Sequence, residues 1–169
     1  MEALIMAGGM GKRIGNPKKM LLMINGEAII IRLLKIIKSL GLNINVCTGP
    51  ETVFLNEIGD VNIINGTGDY AMDLKTSINS LKLPVIVLPA DILIDKELLK
   101  SFIEKSKNYK TGILNMLINN ELSGISIFYE YLNDAELAYE NINFNSNSFF
   151  NINTEYDYKM AKEYYKNMH

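Results

Sequence analysis

Residues 4 to 15 read LIMAGGMGKRIG, an apolar strand that runs into a glycine-rich turn and a basic residue, and Lys19 follows six positions after Arg13. Gly8, Gly9 and Gly11 carry no side chain, so their backbone N–H groups are free to wrap closely around phosphate oxygens. Arg13 and Lys19 add two cations to the same short stretch. The chemistry such residues suit is the gripping and neutralising of a polyphosphate. Two better-known phosphate loops fail on spacing. A Walker A loop would have glycine where Met6 stands and a hydroxyl residue where Arg13 stands. The dinucleotide fingerprint would place its third glycine at Ile14 and an acidic residue about 20 positions further on, at the end of a following strand, and the chain has neither.

The elements that must position these groups follow from hydrophobic periodicity. EALIMA (2–7), LNINVCT (42–48), VNII (61–64), VIVLPA (85–90) and ILNML (113–117) are strand-like and alternate with helical segments, the order of a parallel α/β sheet. The spacing predicts a helix over 28–40, with Arg32, Lys35 and Ser39 as its exposed stripe and Gly41 as its stop. A second helix over 70–81 aligns Ala71, Leu74, Ile78 and Leu81 and leaves Asp73 on its polar side. A third opens at Asp95 as N-cap and buries Leu98, Leu99, Phe102 and Ile103. The last begins at Thr154, with Asp157 completing a capping box, and packs through Tyr158, Ala161, Tyr165 and Met168. The asparagine-rich stretch 133–147 is expected to be a long loop.

With 169 residues, 48% of them hydrophobic, and a net charge of −2, the chain is expected to form a single ordered domain spanning 1–169. Neither nucleic acid nor an anionic membrane would attract it generically. The start shows no secretory leader and no apolar run has the length of a membrane span, so a cytoplasmic protein is the expectation. Cys47, the single cysteine, lies in an apolar run and is expected to be a small buried hydrophobe, and the single histidine, His169, ends the sequence. The reaction must therefore be one that needs neither thiol nor imidazole.

The opening fits the pattern L-x-A-G-G-x-G-x-R-x-G, then a lysine and two apolar residues, through Leu4, Ala7, Gly8, Gly9, Gly11, Arg13, Gly15, Lys19, Leu21 and Leu22. It resembles the signature of the nucleotidyltransferases, which implies a Rossmann-like three-layer α/β fold with a mostly parallel mixed central sheet. Ligands of open α/β sheets sit beyond the carboxyl ends of the strands. Asp91 leaves that end of VIVLPA, where a magnesium ion shared with a triphosphate would sit if this strand neighbours the first; the residue type also suits a turn or a helix cap.

A closer resemblance joins ALIMAGGMGKRIG, SGIS (123–126), FNINT before Glu155, and GDYAMDLKTSI, whose Tyr70, Asp73 and Leu74 match a Y-x-x-D-L stretch. Together they look like the archaeal adenosylcobinamide-phosphate guanylyltransferases, within the molybdopterin-guanylyltransferase-like superfamily. The resemblance implies that Gly8, Gly124 and Asn151 are functional. From the residues alone, Gly124 equally suits close strand packing, Asn151 a turn, and Asp73 a solvated position or local cap. The chain departs from the family in having only the turn INNE where an insertion is usual, and Ser123 in place of alanine.

The implied reaction is attack of a phosphate monoester on the α-phosphorus of GTP, with release of pyrophosphate, in cobalamin biosynthesis. Expected roles are phosphate binding by the backbone of Gly8, Gly9 and Gly11, nucleotide binding at Ala7, leaving-group neutralisation by Arg13, contact of Lys19 with the α-phosphate or the developing charge, and magnesium binding by Asp91. Base reading would fall to the loops TGPET (48–52) and NGTGD (65–69). The implied partners are GTP and a phosphorylated cobinamide-type acceptor, with no nucleic acid; a homodimer is left open. Alternatives are a molybdenum cofactor guanylyltransferase and a non-catalytic nucleotide-binding protein.

Overall fold

The structure, a computed structural model, describes residues 1–8, 18–133 and 135–167. Its elements run β1 (Glu2–Met6), β2 (Met23–Ile24), β3 (Glu27–Ala28), α1 (Ile29–Ser39), β4 (Asn43–Thr48), β5 (Asn62–Asn65), α2 (Tyr70–Ser80) and β6 (Val85–Pro89). They continue through β7 (Ile92–Leu93), α3 (Lys96–Ser106), β8 (Ile113–Ile118), β9 (Glu121–Phe128), β10 (Tyr139–Phe144), β11 (Phe150–Asn151) and α4 (Glu155–Lys166). Seven strands form one sheet in the order β10-β8-β9-β6-β1-β4-β5. Only β9 runs against its neighbours β6 and β8, so the sheet is mixed and mostly parallel, as the sequence implied.

The central strands read as continuous apolar runs because both of their faces are covered. Ala3, Ile5, Val46, Ile86 and Leu88 enter a core shared with Leu33 and Ile37 of α1 and with Leu99 and Phe102 of α3. Leu4, Met6, Cys47, Val85 and Val87 enter a second core under Ile78 of α2. A third cluster, Ile24, Ile29, Leu93, Ile152, Ala161 and Tyr165, ties α4 to α1 and to the β7–β11 pair.

Several expectations are corrected. Residues 139–144, read as loop, form β10, an edge strand that buries Ile142 and Phe144 partly against the core and turns Asn141 and Asn143 outward. Asn141 accepts from Asn115 of β8 (3.1 Å), and Ser126 of β9 donates to Asn115 (2.8 Å), so the open face of these strands is tied by side-chain hydrogen bonds. The strand at SGIS extends over Glu121–Phe128. Of the expected α2 face, Ile78 is buried and Leu74 and Leu81 pack partly buried beside it, but Ala71 is exposed, and Asp73 and Ser77 are buried in addition. Arg32 is half-buried, stacked 4.7 Å from the Tyr165 ring centroid, and so is not part of an exposed stripe. Asp95 is the N-cap residue of α3 but makes no side-chain cap hydrogen bond. Thr154 and Asp157 do form the expected capping box. Met168 and His169 lie outside the described residues.

Candidate functional site

β1, β4 and β6 end together, with Met6 opposite Cys47 on one side and Pro89 on the other. Ala7 is buried and its N–H donates to the Cys47 carbonyl (2.8 Å), which carries the sheet one residue further and delivers Gly8 to its edge. There Gly8 and Gly49 pass in close contact: a Cβ on Gly49 would stand 2.8 Å from the Gly8 carbonyl oxygen. At Gly49 only glycine lets the two segments run so close, and at Gly8 a Cβ would be tight, 3.3 Å from Gly49 N. Gly9, Gly11, Arg13 and Gly15 lie outside the described residues.

On the β6 side, Lys19 opens a short 3-10 turn anchored by the buried Met20 rather than by Leu21, which is exposed. Its ammonium forms an ion pair with Asp91, and also donates to Asn153 Oδ1 (3.4 Å). The two charged side chains are only 18% and 11% exposed, so their attraction is weakly screened. β11 pairs with β7, setting Asn151 opposite Ile92, and Ile152 N–H donates to the Asp91 carbonyl (3.0 Å). Asn151 Oδ1 is buried without a hydrogen-bond partner among the described residues. Gly124 has φ +83°, and a Cβ there would stand 2.8 Å from Pro89 Cγ, two residues before Asp91. Lys19, Asp91, Asn151, Asn153 and Gly124 thus gather around the exits of β6 and β7.

On the β5 side a different network appears. Asp73 is 4% exposed, which corrects the expectation of a solvated position. Its carboxylate accepts from Thr67 N–H (2.7 Å), the Thr67 hydroxyl (2.9 Å) and Gly68 N–H (2.9 Å). Gly66 N–H donates to the Thr48 carbonyl (2.7 Å), and a Cβ on Gly68 would stand 3.4 Å from Pro50 Cδ. The loops 48–52 and 65–69 are therefore one unit that continues the surface begun by Gly8. Sequence reasoning missed Asn153, although it shares the FNINT stretch with Asn151. Cys47 is buried and free, and burial pushes its thiol pKa up, which keeps the sulfur protonated.

The donor set near Asp91 fits a hard cation. The Asp91 carboxylate, which already holds an ammonium, and the orphaned amide oxygen of Asn151, carried on the strand that pairs with the residues after Asp91, are both hard oxygen donors of the kind such a cation takes. No group of three or more His, Cys, Asp or Glu side chains gathers among the described residues. One carboxylate suits an ion that keeps most of its water and is completed by substrate phosphates, the habit of magnesium.

Residues 3–121 match the sequence family described as the MobA-like NTP transferase domain. The chain belongs to this family. It is therefore a nucleotidyltransferase, and the mixed α/β sheet is that of its relatives. The adenosylcobinamide-phosphate guanylyltransferase of Methanocaldococcus jannaschii is 28% identical over 194 aligned positions, covering 96% of each protein. Among solved structures, the CTP:phosphocholine cytidylyltransferase of Streptococcus pneumoniae superposes with a TM-score of 0.71 at 16% identity, over 96% of this chain and 98% of that one. Rv0371c of Mycobacterium tuberculosis, in a complex with manganese, superposes with a TM-score of 0.72 at 12% identity, over 96% and 97%. No helix among the described residues is long and apolar enough to cross a membrane.

Proposed function

We propose that the chain acts as one domain that transfers GMP from GTP to a phosphate-monoester acceptor of the cobinamide type, releasing pyrophosphate. The observation that carries this reading is the Lys19–Asp91 ion pair, largely shielded from solvent, beside the end of β1 from which Gly8 leaves the sheet. The similarity to the Methanocaldococcus jannaschii guanylyltransferase supports the choice of GTP and of acceptor.

The acceptor needs no general base, since a phosphate monoester has a second pKa of about 6 and is largely dianionic at neutral pH. Its oxygen forms a bond to the α-phosphorus, and the bond from that phosphorus to the oxygen bridging to the β-phosphate breaks. The protein's contribution is to position the groups and to offset charge. Gly8 and the glycines that follow it bind the phosphates, Arg13 meets the departing pyrophosphate, and Lys19 turns from Asp91 to the α-phosphate. Asp91, with Asn151 near it, would hold magnesium, which supplies further charge neutralisation on the triphosphate. The loops 48–52 and 65–69 border the base.

The test supplies GTP, CTP or ATP with magnesium and either adenosylcobinamide phosphate, molybdopterin or phosphocholine, and follows pyrophosphate release. Release with GTP and adenosylcobinamide phosphate alone is the expected result. Release with molybdopterin instead would make the chain a molybdenum cofactor guanylyltransferase. Nucleotide binding without release under any pairing would point to a non-catalytic relative.

A further inference from the structure

We infer that Asp73 is a positioning residue that sets base selectivity, by locking loop 65–69 into a form whose backbone has acceptors left for a ligand and no donors. The inference rests on the reading above that this loop borders the nucleotide base. Four consecutive amides of the loop are already spent inside the protein. Gly66 N–H donates to the Thr48 carbonyl, Thr67 and Gly68 N–H donate to the two oxygens of Asp73, and Asp69 N–H donates to the Thr67 hydroxyl (3.2 Å). The Thr67 hydroxyl spends its own proton on Asp73. The Asp69 carbonyl is also spent, accepting from Asp73 N–H (2.9 Å), so the backbone of residues 66–69 can meet a ligand only through the carbonyl oxygens of Gly66, Thr67 and Gly68.

Such a surface favours a base that presents adjacent donors. Guanine does so, with N1–H beside the 2-amino group. Adenine and cytosine set one amino group beside a ring acceptor, and uracil flanks its single N–H with two carbonyls. A site that spends its hydrogen bonds on particular N–H groups rejects analogues lacking them, because its own polar groups are left unpaired. Two features show that the loop is held rather than merely resting. A Cβ on Gly66 would stand 2.5 Å from Asp73 Oδ2 and 2.6 Å from the Thr48 carbonyl, and Asp69 separately caps α2 by accepting from Met72 N–H (2.9 Å). Remove the carboxylate and the Thr67 and Gly68 amides are released to turn outward, mixing donors into the surface that faces the base.

The experiment measures dissociation constants by calorimetry, with magnesium, for GTP, ITP, ATP and inorganic tripolyphosphate, on the wild type, Asp73→Asn and Thr67→Val. ITP lacks only the 2-amino group, and tripolyphosphate reports the phosphate grip without a base. The wild type should bind GTP about tenfold more tightly than ITP, the worth of one good hydrogen bond. Asp73→Asn should bring that ratio close to one while tripolyphosphate affinity changes by less than about twofold. Should Asp73→Asn fail to fold, Thr67→Val, which removes one of the three hydrogen bonds to the carboxylate, should still lower the ratio. A ratio that survives in the folded variants overturns the inference, as does an equal loss of GTP and tripolyphosphate binding, which would mark a purely structural role. A wild type that prefers ATP overturns both the inference and the choice of GTP. A wild type that binds neither nucleotide nor tripolyphosphate overturns the proposed function itself.

Discussion

The exits of β4 and β5 and the exits of β6 and β7 flank the same central strand, yet they are built on opposite plans. On the β5 side every amide from Gly66 to Asp69 has a partner within the protein, and the buried Asp73 carboxylate accepts three hydrogen bonds. On the β6 side a lysine holds the carboxylate of Asp91, and a buried amide oxygen on Asn151 has no donor among the described residues. On the first side the loop amides are satisfied within the protein and hold a fixed shape, and its orphaned buried group among the described residues, Ser77 Oγ, lies one turn further along α2 than Asp73. The other is incomplete and awaits charge. On the proposed reading, the contrast teaches that such a site need not be rigid throughout: the loop bordering the base would be fixed in advance, while the Lys19–Asp91 pair would exchange partners when a metal–triphosphate binds.

The strongest way to break this contrast is through the charged side. Asp91→Ala and Lys19→Ala should each lower kcat by about 10² to 10³-fold, the scale for losing one preorganised charge-stabilising group. Because the two side chains pair with each other and, on the proposed reading, would act on one triphosphate, the double variant should lose far less than the product of the single losses. Single-turnover pyrophosphate release checks both points. If either single variant keeps a tenth of wild-type activity, the β6 side is not where charge is managed.

The completed side should resist intrusion instead. Gly66→Ala places a methyl group between Asp73 Oδ2 and the Thr48 carbonyl, and neither can retreat without breaking the hydrogen bonds just described. The expected loss is about 1–3 kcal/mol of stability, read by denaturant unfolding. Tolerance of the methyl at no cost would show that the β5 loop is looser than its hydrogen bonds indicate.

What the sequence revealed follows the same division. β1 and β6 were legible because strands buried on both faces are nearly continuous apolar runs, β4 through its I-N-V-C stretch in spite of the buried Asn45, and Thr154 with Asp157 because a capping box is a local device. β10 was not, because an edge strand with one open face carries asparagines there and resembles a loop by composition; its N-I-N-F alternation was the signal available. Lys19 and Asp91 could be singled out by type and by their place in the chain. Asp73 could not, since its value comes from amides on the loop before its helix, and helical periodicity put it among the polar positions. Gly66 and Gly68, spaced around Thr67, hinted at a tight loop but not at the carboxylate that closes it.

A smaller effect tests how the asparagine segment is held. Thr154 accepts from Asp157 N–H (3.1 Å), while Asp157 accepts from the N–H groups of Asn153 (2.9 Å) and Thr154 (2.7 Å). This box fixes both the start of α4 and the chain that carries Asn153 to Lys19. Thr154→Ala should cost about 1 kcal/mol in stability. It should also raise KM for the nucleotide more than it lowers kcat, since the side chains that meet substrate remain. A loss confined to stability would separate the cap from the site.

The smallest expected stability change separates the two sides most sharply. An unpaired buried acceptor costs the folded protein about 1–3 kcal/mol relative to a satisfied one, so a chain selected for stability alone would have no reason to keep Asn151 Oδ1 in that state. Asn151→Ala deletes the orphaned oxygen together with a few packing contacts, and the two terms oppose each other. Unfolding stability without ligand should therefore change by less than about 1 kcal/mol, with either sign. Affinity for magnesium–GTP should nonetheless fall. Polar substitutions at the closed β5 loop should show the reverse, with stability and base discrimination lost together. If Asn151→Ala instead destabilises the free protein strongly and leaves nucleotide binding intact, the oxygen is structural, and the β6 side is as complete without ligand as the β5 side.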